Sequence, residues 1–84
     1  MANIAKKELD TRTFPEICAS LSQVEWLELK RRILTRLMKT EQTCTNWKNG
    51  KTYPATLAER KEVSSIVNGF LGTNTNHVTL FNLS

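Results

Sequence analysis

Between Trp26 and Met38 apolar residues return every three or four positions. Trp26, Leu29, Ile33 and Leu37 form one stripe, with Leu34 and Met38 beside it, which is the spacing of a helix that buries one face. No Gly or Pro interrupts residues 23–38, so one long helix is expected there. Ser22-Gln-Val-Glu25 supplies a capping box at its start, and Leu21 and Trp26 hold the two positions of a hydrophobic staple. A shorter helix should precede it. Thr13-Phe-Pro-Glu16 has an N-cap residue and a proline in the first turn, so a helix from Phe14 to about Ser20 would bury Phe14, Ile17 and Cys18. Residues 1–12 are polar, charged and aperiodic, which predicts a flexible arm ahead of one domain over 13–84.

After the long stripe the pattern restarts. Thr40 can cap a third helix over Glu41–Lys48, with Glu41 near the positive end of its dipole. Asn49-Gly50 is a C-terminal stop, with Gly50 supplying positive φ. Lys51-Thr-Tyr-Pro-Ala55 is then a turn or loop. Thr56-Leu-Ala-Glu59 is a second capping box and opens a helix whose core face is Val63, Ile66, Val67 and Phe70. Gly69 weakens that helix by about 1 kcal/mol relative to Ala, and Gly72 closes it. Thr73-Asn-Thr-Asn76 is a polar loop. His77–Asn82 fits a final helical turn or a short strand, and the alternation of Val78 and Leu80 does not decide between them. There is no internal repeat and no linker.

Composition bounds what this pattern can build. Eighty-four residues make one domain. A chain of this size buries about 60% of its unfolded surface, enough for one core. Met1-Ala-Asn-Ile-Ala-Lys-Lys lacks the apolar segment of a signal peptide. No apolar run nears the ~18 residues of a membrane span. Two cysteines give no disulfide framework, so reduced thiols and a cytoplasmic location are expected. The charge is uneven. Residues 1–29 carry a net −2, with three cations against five carboxylates. Residues 30–51 carry seven Lys and Arg against Glu41 alone, a net +6, and residues 52–84 cancel. A basic cluster is ordinarily a solvated helix face. Here it coincides with the third helix, which makes it a candidate phosphate-facing surface.

The third helix divides by chemistry. Cys44 and Trp47 share one face. Gln42, Asn46 and Asn49 lie at i, i+4 and i+7 on the opposite one, with Thr45 beside them. Such amides can bond bidentately to adenine in the major groove of DNA. The plainer reading of the same face is a polar surface in water.

From Ile33 to Lys51 the chain resembles the helix-turn-helix of the phage repressor and Cro family, the XRE-like domains. Thr40, Gln42, Thr43, Trp47, Asn49, Gly50, Lys51 and Pro54 fit that family's pattern of cap, polar, core and stop positions. The match is specific over about 20 residues and extends loosely through the 57–71 helix to Leu80 and Phe81. It places the motif at about 30–50 and implies a compact all-α domain of four to five helices with a short or irregular C-terminal tail. Leu34 stands where the family usually has a small Ala, and Met38 where it has Gly in the turn. Lys39 takes the following apolar position, Cys44 replaces an aliphatic residue, and Lys48 replaces Glu. Leu34 would spread the two motif helices, and Met38 must tolerate the turn's backbone.

By this resemblance Gln42, Thr43 and Asn46 touch base edges, with Glu41 and Thr45 as additional candidates. Asn49, Lys51 and Thr52 meet phosphate, and Lys48 adds a contact that Glu would not make. Arg36 and Lys39 extend the basic surface. The implied function is sequence-specific binding of double-stranded DNA by a small transcriptional regulator, as a homodimer at least on DNA. Val78, Leu80, Phe81 and Leu83 are the candidate dimer interface, or alternatively the residues that fold back to complete the core. The alternative function is a helical protein-interaction module that keeps the fold without reading DNA. Other chemistry is thin. Cys18, Cys44 and His77 lack paired metal-ligand spacing, and no cofactor is implied. No phosphate loop or catalytic dyad or triad signature is present, so no enzyme is expected.

Overall fold

The computed structural model describes residues 10–81, and among these the protein is all-helical. α1 spans Phe14–Ala19, α2 Gln23–Leu37, α3 Glu41–Lys48, α4 Leu57–Leu71 and α5 His77–Leu80. The caps are those the side chains dictate. Thr13 and Ser22 each form a reciprocal capping box with Glu16 and Glu25, while Thr40 and Thr56 accept from the amides of Thr43 and Glu59.

The core follows the apolar faces. Phe14, Ile17 and Cys18 of α1, Trp26, Leu29 and Ile33 of α2, and Cys44 and Trp47 of α3 are buried together with Val63, Ile66 and Val67 of α4. α2 packs against both α3 and α4, and α1 packs against α3. Leu34, Leu37 and Phe70 are only half-buried and pack on the margin of this cluster. The core positions expected for Leu37 and Phe70 are therefore rim positions. Both cysteine thiols are free and inside. Burial pushes Cys18 up to about 12 and raises Cys44 as well. The stability this gives is complete below the ordinary thiol value of 9.0 and is lost as pH rises toward the folded value. Stability is expected to fall above pH 9 by about 1.4 kcal/mol per pH unit from Cys18 alone. Denaturant titrations at pH 8, 9.5 and 11 check this, together with the absence of thiol labelling of the folded chain at pH 8.

α2 stops one residue before its expected end. Met38 takes the left-handed conformation (φ 57°, ψ 39°), and its amide donates to the Leu34 carbonyl at 2.9 Å. That is the bond a C-terminal glycine usually makes. The Met38 side chain is 87% exposed, so no packing compensates for a backbone region costly to residues with a Cβ. Met38→Gly is expected to stabilise the domain by about 0.5–1 kcal/mol, the relief being offset in part by the freer unfolded chain. A lower denaturation midpoint for that variant would contradict this account of the turn.

The tail resolves as a short helix folded back on the domain. Leu80 and Phe81 are buried, and the Phe81 ring lies 5.7 Å from that of Phe14. These two candidate interface residues thus belong to the monomer core. Val78 stays 40% exposed, and Leu83 lies outside the described residues. The loop before α5 is built around Asn68. Its Oδ1 accepts from Thr75 N (2.8 Å), Thr75 Oγ1 (2.7 Å) and Thr73 Oγ1 (2.9 Å), and its Nδ2 donates to the Thr75 carbonyl (3.2 Å). Ser64 Oγ adds a bond to the same carbonyl at 3.1 Å. Most of the expected arm, residues 1–9, lies outside the described residues. Asp10 is anchored rather than free: its amide donates to the Asn74 carbonyl at 2.9 Å, and its carboxylate holds Arg12 at 2.7 Å. Arg12's hydrogen bonds hold the Asp10 carboxyl below its ordinary range.

Candidate nucleic-acid interface

Three residues, Met38 to Thr40, separate α2 from α3. α3 is fixed from behind by Cys44 and Trp47, which are 0% and 3% exposed. Its far end is closed by two bonds that wrap the chain. The Gly50 amide donates to the Trp47 carbonyl at 3.2 Å and the Lys51 amide to the Asn46 carbonyl at 2.9 Å, with Gly50 at φ 77°. This is the Schellman arrangement, which needs a residue at ease with positive φ. A Cβ on Gly50 would also sit 3.4 Å from Pro15 Cγ of α1, so the end of α3 is pressed close to α1.

The outward face of α3 carries Glu41 and Gln42, both exposed, and Thr43, Thr45 and Asn46, which are half-buried. Gln42 Nε2 donates to Asn46 Oδ1 at 3.0 Å. That bond ties the two amides together one turn apart. The Gln42 carbonyl oxygen, its second amide hydrogen and the Asn46 amide hydrogens take no part in that bond. Thr43 is engaged locally, its hydroxyl 2.9 Å from that of the cap residue Thr40. Glu41 is held by Lys30 of α2, at 3.0 Å between Nζ and Oε1.

Asn49, Lys51 and Thr52 are exposed in succession at the end of α3. Lys48 is half-buried and lies back on the domain, its Nζ 5.1 Å from the Trp26 ring centroid. Lys39 and Arg36 are drawn toward α4 instead. Lys39 pairs with Glu59 at 2.7 Å, and Arg36 pairs with Glu62. The Lys39 bond holds the Glu59 carboxyl below its ordinary range. Arg31 and Arg32 both bond to Glu28, at 3.1 Å each. Five of the seven cations of residues 30–51 are therefore paired with four carboxylates, Arg31 and Arg32 sharing Glu28, before any ligand arrives. Lys48 and Lys51 have no carboxylate partner among the described residues.

Lys30, counted above in the basic cluster, fixes the start of α3 through Glu41. One further residue joins this surface that sequence spacing did not single out. Tyr53 is 51% exposed in the loop beyond Thr52, with the Arg60 guanidinium 5.4 Å from its ring. The signal for Tyr53 was an aromatic side chain between Thr52 and Pro54 in a loop with no apolar periodicity. Among the described residues no three His, Cys, Asp or Glu side chains gather as a metal site, and no helix is long and apolar enough to cross a membrane. Comparison with family models, curated proteins and solved structures gave no match.

Proposed function

We propose that this protein binds double-stranded DNA in a sequence-dependent way, with α3 laid in the major groove, as a small cytoplasmic transcriptional regulator. The observation that carries the reading is the linked Gln42–Asn46 pair on the outward face of a helix anchored by Cys44 and Trp47. Amides serve the core in neither position, and an amide is the side chain that matches adenine's N6 and N7 in both donor and acceptor. The left-handed turn at Met38, where helix-turn-helix domains of the resembled family place glycine, supports it further.

In this reading Gln42 and Asn46 address bases, with Thr43, Thr45 and Glu41 at the margin. The exposed run Asn49–Lys51–Thr52 meets phosphate, and Lys48 swings from Trp26 to join it. One α3 reads a half-site, so two copies would occupy sites about 34 Å apart. Leu80 and Phe81 are spent in the core, so of the expected interface only Val78 stays exposed among the described residues. Gel mobility at two salt concentrations tests the electrostatic part. Lys51→Gln is expected to lower the slope of log K against log salt by about 0.9, the loss of one phosphate contact. Gln42→Ala and Asn46→Ala are each expected to lose about 1–3 kcal/mol of discrimination between preferred and scrambled duplexes, with unchanged melting. Equal binding of both duplexes by the native chain would sink the assignment.

A second reading, a helical protein-interaction module, is favoured by the matched cations. Lys30, Arg31, Arg32, Arg36 and Lys39 are all spent on carboxylates, which reduces the pull on a polyanion. Mobility unaffected by any duplex at low salt would select this reading.

A further inference from the structure

α2 carries a second pattern, on the side turned away from the core. Val24, Leu27, Arg31, Leu34 and Met38 follow one another at alternating intervals of three and four residues. That is the a/d spacing of a coiled-coil seam. The five positions fall within about 80° of one another around the helix axis, while Trp26, Leu29 and Ile33 lie roughly opposite. Val24 is 75% exposed, Leu27 45% and Met38 87%. Of the four apolar members, Leu34 alone packs on the core.

This spacing takes a helix as its partner, and charge decides which helix. The charged residues of 23–29 are Glu25 and Glu28, whereas those of 30–37 are Lys30, Arg31, Arg32 and Arg36. α2 is therefore acidic in its first half and basic in its second. Two copies of α2 set antiparallel lay each acidic half along the basic half of the other, and their dipoles oppose. Set parallel, like charges would meet along the whole length. Glu25, Glu28, Arg32 and Arg36 share one flank of the seam, at about 40–120° from Val24, so this complementarity falls along its rim. Arg31 is the one charged seam residue. A charged residue at a single a position costs some stability and fixes register.

Met38 adds an independent observation. Glycine would make its left-handed turn without strain, yet the position holds an apolar side chain that packs on nothing within the chain. Methionine fills the last seam position, which glycine would leave empty. We propose that this face of α2 joins two copies of the chain in an antiparallel, two-fold pair. A seam of 15 residues is only about 22 Å long, so the association is weak, in the micromolar range. The pairing belongs to the free chain and stands apart from what α3 contacts.

Sedimentation equilibrium of the full chain without DNA, from about 5 to about 500 µM, tests it. The mass should rise from 9.6 kDa toward twice that value. Leu27→Gln should weaken association at least about 10-fold, because two-fold symmetry counts each lost side chain twice. Val24→Gln should act in the same direction at a position 75% exposed, where the fold is not at stake. Glu28→Arg should weaken association about 10-fold at low salt, and adding Arg32→Glu in the same chain should restore it. A native chain that stays monomeric over this range overturns the proposal. So does association unchanged by Val24→Gln and Leu27→Gln, or a double charge exchange no better than Glu28→Arg alone.

Discussion

Trp47→Ala is expected to cost about 3–5 kcal/mol, a large share of the stability of so small a domain. Trp47 is 3% exposed and sits in the shared core beside Cys44, Phe14 and Ile17. It is also the acceptor residue of the turn that ends α3, through the bond from the Gly50 amide to its carbonyl. Truncation empties an indole-sized volume where α1 and α3 meet, and a short helix such as α1 has little else to hold it. Circular dichroism of the variant should show much of the helical signal lost at 37 °C. A melt within a few degrees of the native chain would mean that α3 is attached through its other face, and the outward assignment of Gln42 and Asn46 would fall with it.

Asn68→Ala should be nearly as damaging, by about 2–4 kcal/mol. The side chain is half-buried, but the groups it serves are not at liberty to find water: Thr75 is 7% exposed. Removing the amide strands the Thr75 amide, at a cost of about 1–3 kcal/mol, and forfeits the bonds from the Thr73 and Thr75 hydroxyls, the latter keeping Ser64 Oγ at 3.0 Å. The loop held by Asn68 also carries the Asp10 bridge and leads into Leu80 and Phe81, so the loss should spread to the docking of α5. At about 4–8 °C per kcal/mol for a domain of this size, the melting temperature should drop by about 8–32 °C. Asn68→Asp keeps the acceptor that takes three of these bonds and should cost less than Asn68→Ala. An alanine variant that melts within 5 °C of the native chain would show that the loop is held by apolar contacts alone.

Much of the fold was legible because it is encoded locally. Thr13, Ser22, Thr40 and Thr56 mark four helix starts by what their own hydroxyls can reach, and Gly50 and Gly72 mark two ends by a backbone region open to glycine. The burial of Cys44 and Trp47 follows from their spacing on one helix. What escaped is set by contacts distant in sequence or by strain. The left-handed Met38 breaks the residue preference for that conformation, so an uninterrupted stripe read as helix through residue 38. The alternation of Val78 and Leu80 could not reveal α5, because that element exists through the docking of Leu80 and Phe81 on α1 and α4. The candidate surface divides the same way. Placing Gln42 and Asn46 on the face opposite Trp47 needs only helical periodicity. The withdrawal of Arg36 and Lys39 needs Glu62 and Glu59, twenty or more residues away, and a local charge count cannot see them.

Selection of duplexes from a random pool by the full chain, followed by competition against scrambled sequence, addresses the assignment of α3 most directly. The expected result is one enriched sequence, bound about 10³-fold or more above scrambled DNA. Gln42→Ala and Asn46→Ala should each erase about 10-fold or more of that ratio while the protein stays folded. No enrichment, or an enriched duplex bound equally well by both variants, would contradict a base-reading role for α3.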